Sequence, residues 1–401
     1  MKWTVWVPGG LLPQALAPEI LGAARAAKLE GRLGAAREQG AVQAGPRSAG
    51  AAHWSWLASS LGLDEDPPVT APYAWQALAP AGSTGPAGSA WVAHCDPVCM
   101  EVGRDRVRVI DLAEDPLDPE ESAQLLALAN DAAAWMRGRR DSLRAGAPRA
   151  APLAPAELPS VRFEVRGGHW FLVADEPVAV QTHALDAVLG RSIQECLPAG
   201  EHARELRVLS NEIQMLWHAS PVSAAREQRG SLPVNALWIH GGGAWRALRR
   251  PLPARCLADA GSADAAILLG WQTAAPAGSP PPGGALTAFR GLFRAYALGR
   301  WDDWLAGLEG LEACVEDCAA QAQGAGGREL ELVLCGHGEA RTFALPLGAA
   351  HAAASPWSRW TRRLLPAGGR AAEHGAAPWL RCLSETAPGE QPAAGAAGVR
   401  A

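Results

Sequence analysis

Lysine is almost missing from this 401-residue chain: Lys2 and Lys28 are its only copies, and arginine carries nearly all of the positive charge. Tyrosine and phenylalanine are scarce as well, at 2 and 5 copies, so tryptophan, at 17, is the main aromatic. No apolar run approaches the roughly 18–20 residues of a membrane helix, which excludes an ordinary spanning segment. At a net charge of −5 the chain lacks the basic domain of a general nucleic-acid binder, so neither nucleic acid nor membrane is an expected partner. Eight cysteines are too few for a disulfide scaffold in a chain of this length. Cys95/Cys99 and Cys314/Cys318 are separated by three residues, not by the two of a zinc ribbon or thioredoxin motif. A reduced, cytoplasmic setting is expected. The N-terminus imitates a signal peptide, but Pro8, Gly9 and Gly10 interrupt it, and Trp3 to Val7 alternates like a first β-strand.

What is present reads as alternating helices and strands, hence an α/β protein. Ile20 to Gly40 reads as helix, as does His53 to Leu63. Asp64, Glu65 and Asp66 ahead of two prolines form a solvated turn rather than a metal site. Strands are expected at 91–93, 98–102 and 107–110, the last two as a hairpin. Pro119 opens a helix that Asp118 can cap, with Leu125, Leu126, Leu128 and Trp135 on its apolar side. Val161–Val165 and His169–Ala174 alternate as paired strands, and Ala265 to Trp271 reads as a buried strand. Residues 289–299 and 301–318 read as helices, the second with Trp304, Leu308, Leu311 and Val315 on one face. Composition places divisions at 88/89, 245/246 and 365/366, with residues 366–401 a mostly disordered tail of which Trp379 and Leu380 dock.

Glu205 to Trp245 holds the polar residues best spaced for function. Leu206, Leu209, Ile213, Leu216 and Trp217 recur at helical intervals, and Asn211, Gln214 and His218 stack on one side of that helix. Pro221 stops it, a second helical piece carries Arg226 and Arg229, and a strand from Ala236 to His240 runs into Gly241, Gly242 and Gly243. Amides, arginines and a glycine run together suit an anion. The same residues also suit a structural role, tying the helix to its neighbouring loops. No Gly-Lys-Ser/Thr follows the glycines and no G-x-G-x-x-G is present, so nucleotide fingerprints are excluded.

A set of residues here resembles the regulatory protein family of the RpfE type, whose members are often labelled phosphoglycerate mutase. The set comprises Asp96-Pro97-Val98, Pro119-Glu120-Glu121, Gly190-Arg191, Asn211-Glu212-Ile213-Gln214-Met215-Leu216, Pro221-Val222, Arg226-Glu227, Arg229-Gly230, Asn235, Trp238 and Gly241-Gly242-Gly243. That family is in turn similar to part of the archaeal-type cofactor-independent phosphoglycerate mutases, metal enzymes of the alkaline-phosphatase superfamily. The resemblance implies an alkaline-phosphatase-like mixed or parallel sheet with flanking helices, interrupted by an inserted α+β domain over residues 89–245. It also implies a ligand site at Asn211, Glu212, Gln214, Arg226, Arg229, Asn235 and Trp238. This chain departs from the closer family at Cys99, Ser223 and His240-Gly241, where His, Asn and Trp-Gly are usual.

The distant enzymes need two metals to activate a nucleophile and clamp the phosphoryl group. Their first ligand is an Asp-Gly after the first strand, where this chain has Pro8-Gly9, and it has no aspartate beyond Asp317. Pro18 and Glu19 stand where a nucleophilic Ser or Thr belongs. The expectation is therefore a non-catalytic regulatory or binding protein on a degenerate scaffold. It has no metal, cofactor or catalytic residue, and takes a small phosphorylated ligand and a protein partner. The alternative is a cofactor-independent phosphoglycerate mutase or related phosphotransferase using His218 or His240. A third reading puts the tryptophans at a protein interface.

Overall fold

The computed structural model describes residues 2–21, 27–48, 50–63, 65–80, 91–104, 106–146, 157–253, 255–258, 262–274, 283–348 and 382–385. The chain divides into two units, residues 1–43 with 289–401, and residues 44–288. The first begins with β1 (Lys2–Pro8), α1 (Ala17–Leu21), α2 (Ala27–Gly34) and β2 (Arg37–Gln43). The second opens with α3 (Ala52–Leu61), α4 (Ala71–Ala77), β3 (Trp91–Val102) and β4 (Val107–Asp111). It continues through α5 (Pro119–Gly146), β5 (Val161–Arg166), β6 (His169–Ala174) and α6 (Leu185–Val188). Then come α7 (Ala203–His218), α8 (Pro221–Gln228), β7 (Ala236–Ala244), β8 (Arg255–Leu257), α9 (Ala263–Thr273) and β9 (Gly284–Ala288). The first unit is completed by α10 (Phe293–Ala297), α11 (Trp301–Gly324), β10 (Glu329–Cys335) and β11 (Glu339–Pro346). The protein is α/β, with a mixed sheet and flanking helices.

In the first unit the strands run in the order β2-β11-β10-β1. β1 and β10 are parallel, and their residues Val5 to Val7 and Leu332 to Leu334 are fully buried, as continuous apolar runs in parallel strands require. β11 is antiparallel to both of its neighbours. α11 packs on β1 and β10 through the face read from the sequence: Trp304, Leu308, Leu311 and Val315 are buried, and Trp304 Nε1 donates to the Gly9 carbonyl at 2.7 Å. Each such burial is worth about 1.5–3 kcal/mol.

The expected helix over Ile20–Gly40 is corrected at its end. Helix stops at Gly34, and Arg37–Gln43 instead pairs with β11 as an exposed edge strand. Backbone partners along β11 outweigh the helix preference of Arg, Glu and Gln. Residues 355–365, Trp379 and Leu380 lie outside the described residues. Three residues of the expected tail do pack: Leu383 is fully buried, Ser384 bridges Leu12, and the Glu385 carboxylate accepts N–H donors from His337 and Gly338.

In the second unit β3 pairs with β7 along one edge and with β6 and then β4 along the other, all antiparallel, with β5 beyond β6. α5 and α7 cover this sheet. Leu206, Leu209, Ile213 and Trp217 of α7 meet Leu125, Ala129, Ala132 and Ala133 of α5 and the strand residues Phe163, Leu172 and Leu237. The apolar side read for α5 is thus rotated toward its alanines, and Trp135 is 45% exposed. Small side chains let α5 approach closely, and Trp217 Nε1 donates to the Leu125 carbonyl at 3.0 Å.

Ala265–Trp271, read as a strand, lies within the helix α9: the Ser262 hydroxyl caps it at the Ala265 N–H, and Ala266, Ile267, Leu268 and Trp271 are buried. A short apolar run looks the same in a buried helix and a buried strand, and the cap decides. The expected divisions at 88/89 and 245/246 both fall inside the second unit, because α4 packs on β3, β7 and α9 and the Thr70 N–H donates to the Gly241 carbonyl.

Candidate functional site

α7 has two working faces. One is the apolar face just described; the other carries Arg204, Arg207, Asn211, Gln214 and His218 at intervals of three and four, one stripe along the helix. This stripe lines a cavity of about 730 Å³. Across from it stand Met100 and Val102 of β3, Val107 of β4, Ile193, Leu197 and the start of β7. The cavity thus has one polar wall and one apolar wall.

The seven residues expected to form a single site are not brought together. Asn211, Gln214, Asn235 and Trp238 line the cavity. Asn211 is exposed, and the Gln214 amide reaches the Met100 sulfur at 3.8 Å. Asn235 acts structurally, since its Oδ1 accepts from the Met100 N–H at 2.7 Å and its Nδ2 donates to the Met100 carbonyl at 3.0 Å, extending the β3–β7 pairing by a side chain. Trp238 is buried and donates to the His183 carbonyl at 2.9 Å. Glu212, one position around the helix, is half-buried and outside the lining.

Arg226 and Arg229 stand apart from this cavity, and the expectation that they face an anion beside Asn211 and Gln214 is corrected by what surrounds them. Arg226 is fully buried; its Nε donates to the Leu232 carbonyl at 2.8 Å and its Nη1 to Glu121 Oε2 at 2.8 Å. Its Nη2 meets both the Asp115 carbonyl and Asp115 Oδ2 at 2.9 Å. Arg229 pairs with the other Glu121 oxygen and with Ser231 Oγ. Glu121 also closes the capping box of α5: Asp118 Oδ1 accepts from the Glu121 N–H at 2.8 Å while the Asp118 N–H donates to Glu121 Oε2 at 3.2 Å. The Leu232 N–H, reinforced by the charges of Arg226 and Arg229, holds the Asp115 carboxyl below its ordinary range. A charge at zero exposure needs such partners, and here the protein supplies them itself.

The cations that do line the cavity, Arg204 and Arg207, were missed by sequence reasoning. Their signal was the three-and-four spacing that continues from Asn211 back toward the start of α7.

Gly241, Gly242 and Gly243 form no phosphate loop, since they are part of β7 paired with β3. A Cβ on Gly242 would lie 2.3 Å from the Trp91 ring, so glycine is there for close packing. On the same strands His240 Nε2 meets Asp96 Oδ2 at 2.7 Å, and the His94 ring stacks on His240 with centroids 5.0 Å apart. Burial, then the neighbouring His240, pushes the His94 imidazole down to about 3, so it is neutral in the fold. Asp96 also lines a second cavity of about 830 Å³ together with Asp111, Asp118 and His169, and this lining holds no Arg or Lys.

The residues at the end of β1 do not fit the two-metal centre that the distant resemblance implies. β1 ends in Pro8 and Gly9, and Gly9 sits at φ 72° with its missing Cβ only 2.8 Å from the Phe293 backbone. Among the described residues no group of three or more His, Cys, Asp or Glu side chains is placed to hold a metal ion. Nor is any described helix long and apolar enough to cross a membrane.

No protein-family profile matches this chain, and no curated protein does. Solved structures do. The cofactor-independent phosphoglycerate mutase of Thermoplasma acidophilum DSM 1728 is 12% identical, with 88% of this chain and 95% of that one covered at a TM-score of 0.35. The PH0037 protein of Pyrococcus horikoshii is also 12% identical, covering 88% and 89% at a TM-score of 0.37.

Proposed function

We propose that this chain is a regulatory or binding protein of the RpfE type on a degenerate phosphoglycerate-mutase-like scaffold, holding a small anionic ligand in the α7 cavity without turning it over. The observation that carries this reading is the α7 stripe: two arginines, two amides and a histidine along a cavity of about 730 Å³ whose lining, among the described residues, contains no carboxylate. Pocket-sized cavities of roughly 300–1,000 Å³ with a few convergent polar groups are the usual shape of small-molecule sites. A phosphorylated ligand and a protein partner in the cytoplasm complete the proposal, and the eight free thiols fit a reducing compartment.

The phosphotransferase alternative has less support at His240. Its partner Asp96 faces a cavity with three aspartates and no Arg or Lys, where a phosphate would be repelled.

The test is calorimetric titration with inorganic phosphate and with 3-phosphoglycerate, run beside a mutase assay with and without added Mn²⁺. Saturable binding that Arg204→Glu with Arg207→Glu abolishes, and no turnover, is the expected result. Turnover that a chelator removes would overturn it.

A further inference from the structure

The cavity's apolar wall is unused by a ligand that is all charge. Arg204 to His218 covers fourteen residue steps of helix, about 21 Å at 1.5 Å per step. Inorganic phosphate or phosphoglycerate would occupy a small part of that length and of the cavity's volume of about 730 Å³. Two apolar side chains at the cavity remain in water: Val102 is 80% exposed and Leu197 45% exposed. They continue the apolar lining that Met100, Val107 and Ile193 give the cavity.

Charge is unevenly distributed along the groove. Arg204 and Arg207 sit in the first turns of α7, where the helix dipole adds positive character, and Arg207 donates to the carbonyl of Pro198, another lining residue, at 3.1 Å. Among the described residues Arg204 has no carboxylate partner, unlike Arg226. Farther along, the polar wall becomes neutral, with Asn211 and Gln214, while Met100, Val102, Val107 and Ile193 face it. The second cavity of this unit is the internal contrast, since it is of similar size but lined by Asp96, Asp111 and Asp118.

We infer that the α7 cavity binds an elongated amphipathic anion, a single-chain carboxylate of the fatty-acid type, with its head at Arg204 and Arg207 and its chain along Met100, Val107 and Ile193. This rests on the anion-binding part of the proposed function and puts a carboxylate, in place of a phosphate, at the arginine end. A carboxylate gains charge-assisted hydrogen bonds at the arginine end. A chain removes from water the apolar wall that an anion alone leaves wet.

The experiment is fluorescence titration of the full chain with cis-parinaric acid, with competition by decanoate, decanol and propionate. We expect saturable one-to-one binding, displaced by decanoate at least about tenfold better than by decanol or propionate. Arg204→Glu with Arg207→Glu should weaken it by about tenfold or more, and Val107→Asp, at a half-buried wall position, should do the same. Circular dichroism and an unfolding midpoint on each variant separate lost binding from lost fold, and the exposed arginine pair keeps the test decisive if Val107→Asp unfolds. Parinarate fluorescence unchanged by the arginine reversal, or propionate competing as well as decanoate, would overturn the inference. Phosphoglycerate binding that depends on Arg204 and Arg207 while parinarate fails to bind would sink the amphiphile and leave the proposed function standing. Failure of both probes would remove both.

Discussion

Two pairs of arginines in the second unit look alike in sequence and end in opposite situations. Arg226 and Arg229 lie on α8 and just beyond it, where Glu121 and Asp115 surround them and Arg226 is shut from water. Arg204 and Arg207 lie on the exposed stripe of α7 and line a cavity that holds no carboxylate among the described residues. Spacing and residue type do not separate the pairs. What separates them is whether a distant part of the chain, 105 residues away in the case of Glu121 and Arg226, arrives with the opposite charge. Arginines satisfied from within are structural, and arginines left facing a concave surface are candidates for recognition.

The contrast can be broken by experiment, most forcefully at Glu121. Glu121→Ala takes from the buried Arg226 one of its two carboxylate partners, leaving Asp115, and should cost about 3 kcal/mol in urea unfolding. Replacing both, Glu121→Leu with Arg226→Met, should cost clearly less than Glu121→Ala. A double variant as damaged as the single one would mean that the ion pair is not what Arg226 is there for.

The His94–His240–Asp96 group should dominate the acid limb of stability. His94 has a depressed value in the fold, near 3 against 6.5 when unfolded, so its contribution is complete above pH 6.5 and is lost as pH falls toward 3. Asp96, held low by its bond to His240 against the opposing effect of burial, adds a loss at lower pH, below the ordinary carboxylate value. In the window between 6.5 and 4.5 each unit costs about 1.4 kcal/mol through His94, and His94→Leu should flatten that slope in a series of unfolding curves.

Gly242→Ala drives a methyl into the Trp91 ring and should cost about 1–3 kcal/mol. If the three glycines instead cradled an anion, ligand affinity rather than the unfolding midpoint would change first. The smallest stability effect is expected at the open arginine pair: Arg204→Glu with Arg207→Glu should move the unfolding free energy by no more than about 0.5 kcal/mol while removing ligand capture. A large loss of stability there would make the two pairs alike after all.

Legibility in the sequence followed the range of the interaction concerned. β1, the β5–β6 hairpin, α7 and the buried face of α11 were readable because each writes its burial into a period of neighbouring residues. The Asp118 cap was readable for the same reason, being three residues from its partner. Arg37–Gln43 and Ala265–Trp271 were misread because their type depends on what lies beside them: β11 for the first, a capping serine and buried surroundings for the second. The candidate site was half legible. Asn211 and Gln214 were placed correctly on one face, but Asn235 and Trp238 proved to be held by Met100 and His183, contacts that no local pattern announces.

By itself the sequence determined the α/β fold class, the periodic elements and the amphipathic α7, since each is a matter of local composition or spacing. Tertiary structure alone decided which arginines are spent on the fold and which face a cavity, and it turned a glycine run into a packed strand. The reason is that burial and charge pairing are set by residues far apart in the chain, and no local period records them.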